Sequence, residues 1–482
     1  MKTLRLPLCL CAVLCPFFIT ANAQVKPANL FTDGMVLQQK ATVPVWGCDK
    51  AGAKISIVGS WDKKAYTGTA DASGKFIIKI NTPAYGGPFT LTISDGKPVV
   101  LKDVLIGEVW ICTGQSNMEM PMKGFKGQPI IGSNEAIVAS ANKNIHLFTV
   151  PRGSTTTLQT DIKPSQWLEA SPESVSNFSA TGYYFGRLIN KMLNVPVGLI
   201  NCSYSGSSIQ AWMDPETLKA FPEIKVPAPA DSIKDKSRTA TTLYNAMISA
   251  VYGYGIKGAI WYQGESNYTE PAQYQKLLET MVAKWRSVWG IGDFPFYYCQ
   301  IAPYDYAQLP PYNKGGKYNS AFLRDAQRVE ADKIPNSGMA VLMDIGQQGT
   351  IHPFHKEEGG TRLAYLALVK TYGVKGFSGV SPSYESMTVK GSVANIKFKD
   401  CVNGLTSYLK ELTTFEVSGA DKHFYPAKAI ISGSSVNVSS DQVKEPVAVR
   451  YAFRDFVVGE LFGTDGLPVS SFRTDDWDYN VQ

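Results

Sequence analysis

Between about Val104 and Tyr372 the sequence alternates short, nearly continuous apolar runs with longer stretches of helical periodicity, and this rhythm constrains the fold more than any other feature. Runs such as Gly258-Ala259-Ile260-Trp261-Tyr262 and Met339-Ala340-Val341-Leu342-Met343 are apolar on both faces. Strands read this way when helices cover a parallel sheet on both sides. Strands are expected near 104–112, 197–202, 257–262, 294–301 and 339–344. Helices are expected near 180–193, 241–252, 272–289, 321–332 and 357–372. Five strands separated by helices predict an α/β fold with a doubly wound, five-stranded parallel sheet.

The flanks have a different period. From Gln24 to about Leu105, alternating runs such as Lys54-Ile55-Ser56-Ile57-Val58 and Lys75-Phe76-Ile77-Ile78-Lys79-Ile80 are separated by Gly, Asp and Pro, which predicts a small antiparallel β domain. Alternation returns after about Val374, for example in Val447-Ala448-Val449-Arg450-Tyr451-Ala452-Phe453. The expected organisation is therefore a β domain over 24–104, a catalytic α/β domain over 105–375 and a second β region over 376–482.

The first 23 residues carry Lys2 and Arg5, an apolar stretch from Leu6 to Ile19 and the small-residue pattern Ala21-Asn22-Ala23. That order reads as a secretory signal peptide cleaved near Ala23, so a periplasmic or secreted protein is expected. No later run is long and apolar enough for a transmembrane anchor. The net charge of +6 falls to about +4 when Lys2 and Arg5 leave, and no basic tract is dense enough for nucleic acid. Cys48, Cys112, Cys202, Cys299 and Cys401 remain beyond the leader. They are odd in number, sparse and without C-x-x-C spacing, which argues against both a disulfide framework and a metal cluster.

In an open parallel sheet, ligands bind beyond the carboxyl ends of the strands, so the residues after each strand are the informative ones. Thr113-Gly114-Gln115-Ser116-Asn117-Met118 follows the first strand: a sharp turn at glycine could expose the Ser116 hydroxyl, or Ser116 could cap a helix. Ser203-Tyr204-Ser205-Gly206 follows the second, where the Gly206 N–H suits an oxyanion donor. Gln263-Gly264-Glu265-Ser266-Asn267 follows the third. Asp344 and then Ile351-His352-Pro353 follow the fifth. With only four histidines in the chain, His352 stands where catalysis would need one.

Together these blocks resemble the SGNH hydrolase superfamily, and within it the sialate O-acetylesterase family, whose members carry G-Q-S-N-M, Q-G-E-S-N and I-H-P in this order. The closing Gly466-Leu467-Pro468-Val469-Ser470-Ser471-Phe472-Arg473-Thr474-Asp475 is similar as well. The resemblance implies a flavodoxin-like sheet and an exported carbohydrate esterase. It also implies Ser116 as nucleophile, His352 as base, and an oxyanion hole made by Ser116, Gly206 and a polar side chain, Gln263 or alternatively Asn267. No cofactor or metal is required by such a Ser-His acyl-enzyme mechanism. The wider superfamily places an acid three residues before the histidine, where this chain has Gly349. A backbone carbonyl in 347–350, Asp344 or Glu265 is therefore the expected third group. Trp212, Tyr262, Tyr304, Arg324 and Gln327 are candidate sugar contacts, and Arg324 or Lys123 a candidate cation for the carboxylate of an O-acetylated sialic acid. An acetylxylan or other plant-polysaccharide esterase would need the same groups, whereas a non-catalytic carbohydrate-binding protein would not need them.

Overall fold

The computed structural model describes residues 24–309 and 319–477; the leader read over residues 1–23 lies outside them. The elements that position the strand ends are nine strands: β1 (Val36–Gln38), β2 (Gly86–Ser94), β3 (Pro98–Gly114), β4 (Asn142–Thr149), β5 (Trp167–Ala170), β6 (Val197–Ser203), β7 (Gly258–Tyr262), β8 (Phe296–Cys299) and β9 (Ser337–Ala340). Five helices accompany them: α1 (Ser116–Glu119), α2 (Ala180–Leu193), α3 (Pro271–Trp289), α4 (Ala321–Lys333) and α5 (Lys356–Leu366).

The strand that organises the molecule is β3, 17 residues long. Its first half pairs antiparallel with β2, from Pro98 opposite Ser94 to Ile106 opposite Gly86. Its second half lies parallel between β6 and β7. The boundary expected between 104 and 105 thus falls inside a strand common to both regions. Side chains on its second half alternate between two cores, as a period-2 strand requires. Val109 and Ile111 join Trp261 and Trp285, while Trp110 and Cys112 join Phe185 and Leu363.

The central path runs β5-β4-β6-β3-β7-β8-β9. All of these strands are parallel except β5, which pairs antiparallel with β4 at the edge. This corrects the five-stranded expectation: β4 and β5 extend the sheet beyond β6. Strands β6 to β9 are buried along their whole lengths. Helices α2 and α5 pack together, as do α3 and α4. The helix expected over 241–252 is broken, because Met247 leaves helical angles (φ −130°, ψ −67°) between two short turns. The last strand also ends early, at Ala340. Beyond it the Val341 carbonyl accepts from Arg362 (2.8 Å) and the Met343 carbonyl from Gly459 (2.9 Å), so the chain's hydrogen bonds leave the ladder.

Antiparallel strands make up the flanks. Lys75–Asn81 buries Phe76, Ile78 and Ile80 and exposes the residues between them. The region after residue 376 forms two four-stranded antiparallel sheets and a two-stranded one. It is fastened to the α/β core by buried polar groups. Gln300 donates to Ser470 Oγ (2.7 Å), and the Arg324 guanidinium reaches Ser320 Oγ (3.2 Å), Ser471 Oγ (3.1 Å) and the carbonyls of Arg454 and Asp455. Burial pushes Arg324 down to about 10, yet it stays charged at neutral pH. Removing it would strand several buried acceptors. Arg324→Leu is therefore expected to lower the unfolding free energy by roughly 2–4 kcal/mol. The KM of the folded enzyme for an acetyl ester should be unchanged, which denaturant titration beside steady-state kinetics will check.

Candidate active site

Strands β6, β3 and β7 end in register, with Ser203 and Tyr262 on either side of Gly114. Gly114 has φ +135°, and a Cβ there would stand 2.2 Å from the Tyr262 carbonyl oxygen, so only glycine fits the turn. The chain then enters α1 with Ser116 as its first helical residue and 8% exposed. On the loop between β9 and α5, His352 points its Nε2 at Ser116 Oγ, 2.7 Å away. The other ring nitrogen, Nδ1, lies 2.6 Å from the side-chain carbonyl of Gln128. An amide carbonyl only accepts, so Nδ1 carries the proton and Nε2 offers its lone pair to the serine hydroxyl. Burial first, and then the nearby Lys356 charge, pull the imidazole down to about 4. It is neutral at physiological pH, the state a general base needs.

Gln128 belongs to a reverse turn over the imidazole. Its N–H donates to the Phe125 carbonyl (2.9 Å), and the Phe125 ring meets the imidazole edge-on with centroids 5.4 Å apart. Gly124, at φ +80°, allows the turn, since a Cβ there would meet the Gln128 carbonyl at 2.4 Å. The turn is tied to the histidine loop by the Ile131 N–H donating to the Phe354 carbonyl (3.0 Å). Sequence reasoning missed Gln128. It lies 224 residues from His352, and no local spacing marks it.

The groups expected as the third member are engaged elsewhere. Asp344 receives two hydrogen bonds from Arg362, at 2.7 and 2.6 Å. Glu265 accepts from Asn117 Nδ2 at 2.5 Å, and burial raises its pKa. In the 347–350 stretch, the Thr350 hydroxyl accepts the backbone N–H of His352, and no carbonyl there takes Nδ1. The two expected side-chain oxyanion donors are engaged with the protein, Gln263 through both amide hydrogens and Asn267 through one. Gln263 gives its amide hydrogens to the Ser207 carbonyl (3.0 Å) and Asn267 Oδ1 (2.8 Å), and Asn267 donates to Gln210 (3.0 Å). Both brace the loop after β6. The backbone N–H groups of Ser116 and Gly206 donate to no described residue, which leaves them available to an oxyanion.

Of the expected sugar contacts, Trp212, Arg324 and Gln327 are likewise braces, while the Tyr262 hydroxyl is buried without a partner among the described residues and Tyr304 is 7% exposed. Trp212, Tyr262, Arg324 and Gln327 are each no more than 2% exposed. Trp212 donates to Ser207 Oγ (3.0 Å), and Gln327 spans the Ile301 N–H (2.9 Å) and the Gln263 carbonyl (3.1 Å). Lys123 is exposed and donates to Asn177 (2.6 Å). A cation that sequence reasoning overlooked, Arg152, lies 5.1 Å over the Tyr204 ring and pairs with Glu119, whose other oxygen accepts the Ser205 N–H (2.7 Å). Among the described residues no cluster of His, Cys, Asp and Glu is arranged to hold a metal ion, and no helix is long and apolar enough to cross a membrane.

A mainly parallel α/β sheet with a serine and a histidine in hydrogen-bond contact beyond the ends of its strands fits an esterase-type hydrolase. The chain belongs to the family described as carbohydrate esterase, sialic acid-specific acetylesterase, whose model matches residues 106–358. It is similar to human sialate O-acetylesterase, 27% identical over 471 residues that cover 90% of this chain and 88% of the relative. It is also similar to the rat sialate O-acetylesterase, at 26% over 459 residues and 82% of each chain. Among solved structures it resembles a carbohydrate acetylesterase from Xanthomonas citri, with a TM-score of 0.85 and 33% identity, covering 94% of this chain and all of that one.

Three outcomes follow from the imidazole's surroundings. Because its pKa is depressed, kcat/KM should hold level below pH 6.5 and fall only as the pH approaches about 4. In Gln128→Glu a carboxylate would face Nδ1 and favour the imidazolium, so the acid limb should move to higher pH. Gln128→Ala should lose roughly 10–100-fold in kcat, since the ring is no longer held in its tautomer and orientation. The pH dependence of the three proteins measures all of this.

Proposed function

We propose that this protein is an exported acetylesterase that removes O-acetyl groups from sialic acid or a related glycan, with Ser116 as nucleophile and His352 as general base. The observation that carries the reading is the 2.7 Å contact between Nε2 and Oγ, with Nδ1 committed to Gln128. His352 takes the hydroxyl proton as Ser116 attacks the acetyl carbonyl. The oxygen becomes an alkoxide facing the N–H groups of Ser116 and Gly206, and such donors are worth about 3 kcal/mol each in the transition state. His352 then protonates the departing sugar oxygen, leaving acetyl-serine. A water molecule, deprotonated by the same imidazole, releases acetate and restores the serine.

The family match and the sialate O-acetylesterase relatives support the substrate class, and the signal-like pattern of charge, apolar stretch and small residues over residues 1–23 supports export. For the carboxylate of an acidic sugar, Arg152 is the cation we favour: its side chain is half-exposed, and it stands over Tyr204 beside the Ser205–Gly206 wall. A second reading, another acetylated polysaccharide such as xylan, draws on the higher identity to the Xanthomonas carbohydrate acetylesterase.

The test is acetate release by the mature protein and by its Ser116→Ala variant, from O-acetylated sialic acid and from acetylated xylan. Release from the sialic acid alone, abolished in the variant, is expected. Release from xylan alone would keep the mechanism and replace the substrate. Undiminished release by the variant would remove Ser116 as nucleophile. Arg152→Gln should raise KM for the acidic sugar several-fold, by roughly the 1 kcal/mol of a half-exposed ion pair, without changing kinetics on 4-nitrophenyl acetate.

A further inference from the structure

Directly beneath the nucleophile lies a buried polar chain that the reaction scheme does not use. Asn117, the residue after Ser116, is completely buried, and Lys356 and Glu265 are 2% and 4% exposed. The Lys356 ammonium donates to the Asn117 side-chain carbonyl, and the Asn117 amide nitrogen donates to Glu265 Oε1 at 2.5 Å. The same nitrogen donates to the backbone carbonyl of Ile351 at 3.1 Å. Burial pulls Lys356 down to about 7 and pushes Glu265 up, each opposed by the charge of the other, and the amide stands between them with all of its strong hydrogen-bonding positions filled. Its backbone carbonyl is also held, by Thr181 Oγ1 at 3.1 Å.

The three loops joined here come from different strands. Asn117 follows β3, Glu265 follows β7, and Ile351 and Lys356 bracket the histidine loop after β9. Ile351 is adjacent to His352 in sequence, as Asn117 is to Ser116. One amide therefore ties the neighbour of the nucleophile to the neighbour of the base. An ammonium donor at one end and a carboxylate acceptor at the other polarise it in the charged state of the pair, which strengthens the bonds it donates and accepts. Only a carboxamide has the acceptor for Lys356 and the two N–H donors for Glu265 and Ile351.

We infer that Asn117 is a positioning residue for ester hydrolysis: its amide, clamped between Lys356 and Glu265, sets the Ser116–His352 distance through its bond to the Ile351 carbonyl. This rests on the assignment of Ser116 and His352 as nucleophile and base. Asn117 itself touches no substrate. Loss of the Ile351 bond therefore appears in kcat and not in KM, because a misplacement of reacting atoms raises the barrier without changing ground-state binding.

The design that separates positioning from mere stability uses a reversed clamp. In Asn117→Asp the new carboxylate keeps Lys356 but faces Glu265 and is destabilised. In the double variant N117D/E265Q the glutamine amide donates to that carboxylate, so the buried charges again balance, yet no donor remains for the Ile351 carbonyl. The thermal midpoint of the double variant should return to within about 5 °C of the unmodified protein. Its kcat on 4-nitrophenyl acetate should stay roughly 10–100-fold low with KM within about twofold. Recovery of kcat together with stability would overturn the inference. Should the double variant not fold, Asn117→Ser carries the same kinetic expectation, because its short hydroxyl cannot replace the amide's reach to Ile351. An unmodified kcat in that variant would equally overturn it. Ser116→Ala, run beside them, gives the background. Full activity there would remove the Ser116–His352 assignment and the inference with it, a result distinct from recovery in the double variant alone.

Discussion

Everything in this molecule hangs on one strand, Pro98–Gly114, which is hydrogen-bonded along its length to two architectures. Its first half belongs to the antiparallel flank, and its second half runs through the middle of the parallel sheet, with β6 and β7 on either side. Such a strand cannot shift register by one residue without exchanging Val109 and Ile111 with Trp110 and Cys112 between two packed cores. Its end is fixed accordingly. The turn at Gly114, pressed against the Tyr262 carbonyl, delivers Ser116 to one place.

Around that place the polar residues divide into reagents and braces. On the proposed mechanism Ser116, His352 and the N–H groups of Ser116 and Gly206 are the reagents; Gln263, Gln327, Arg324 and Asp344 are braces whose hydrogen bonds are spent on the protein. The division follows from the cost of burying a polar group without a partner, about 1–3 kcal/mol each. A fold that buries this many must pair them, and the pairing is what rigidifies the loops beyond the sheet. The third group of the site, Gln128, is neutral. It orients the imidazole without the charge-assisted bond a carboxylate would make, which is roughly twice as strong as a neutral one. With no anion at Nδ1, and with burial and Lys356 acting in the same direction, the imidazole remains an unprotonated base.

Much of this was legible in the sequence, for identifiable reasons. Strands β3, β6, β7 and β8 announce themselves because they are buried on both faces, and the strand-end rule brings Ser116, Gly206 and His352 to attention. The structure places the serine and histidine in contact. Strands β4 and β5 were missed: β4 opens on Asn142-Lys143-Asn144 and exposes that end, while β5 is a four-residue edge strand with an exposed middle. Gln128 was invisible because its role arises from a tertiary contact alone. Asp344 and Glu265 stand as alternative triad acids beside a backbone carbonyl in 347–350 because sequence order shows that a carboxylate follows a strand, whereas it does not show that Arg362 or Asn117 has already engaged it. The buried Trp212, Arg324 and Gln327 were read as sugar contacts for the same reason.

The account's central claim is that Ser116 is the activated nucleophile, and covalent trapping tests it most directly. The intact protein, treated at neutral pH with a fluorophosphonate and digested, should carry one phosphonyl group on the peptide containing Ser116. Substitution of His352 by alanine should slow that labelling by orders of magnitude. A label on a different serine, or labelling of Ser116 at an undiminished rate without His352, would contradict the account.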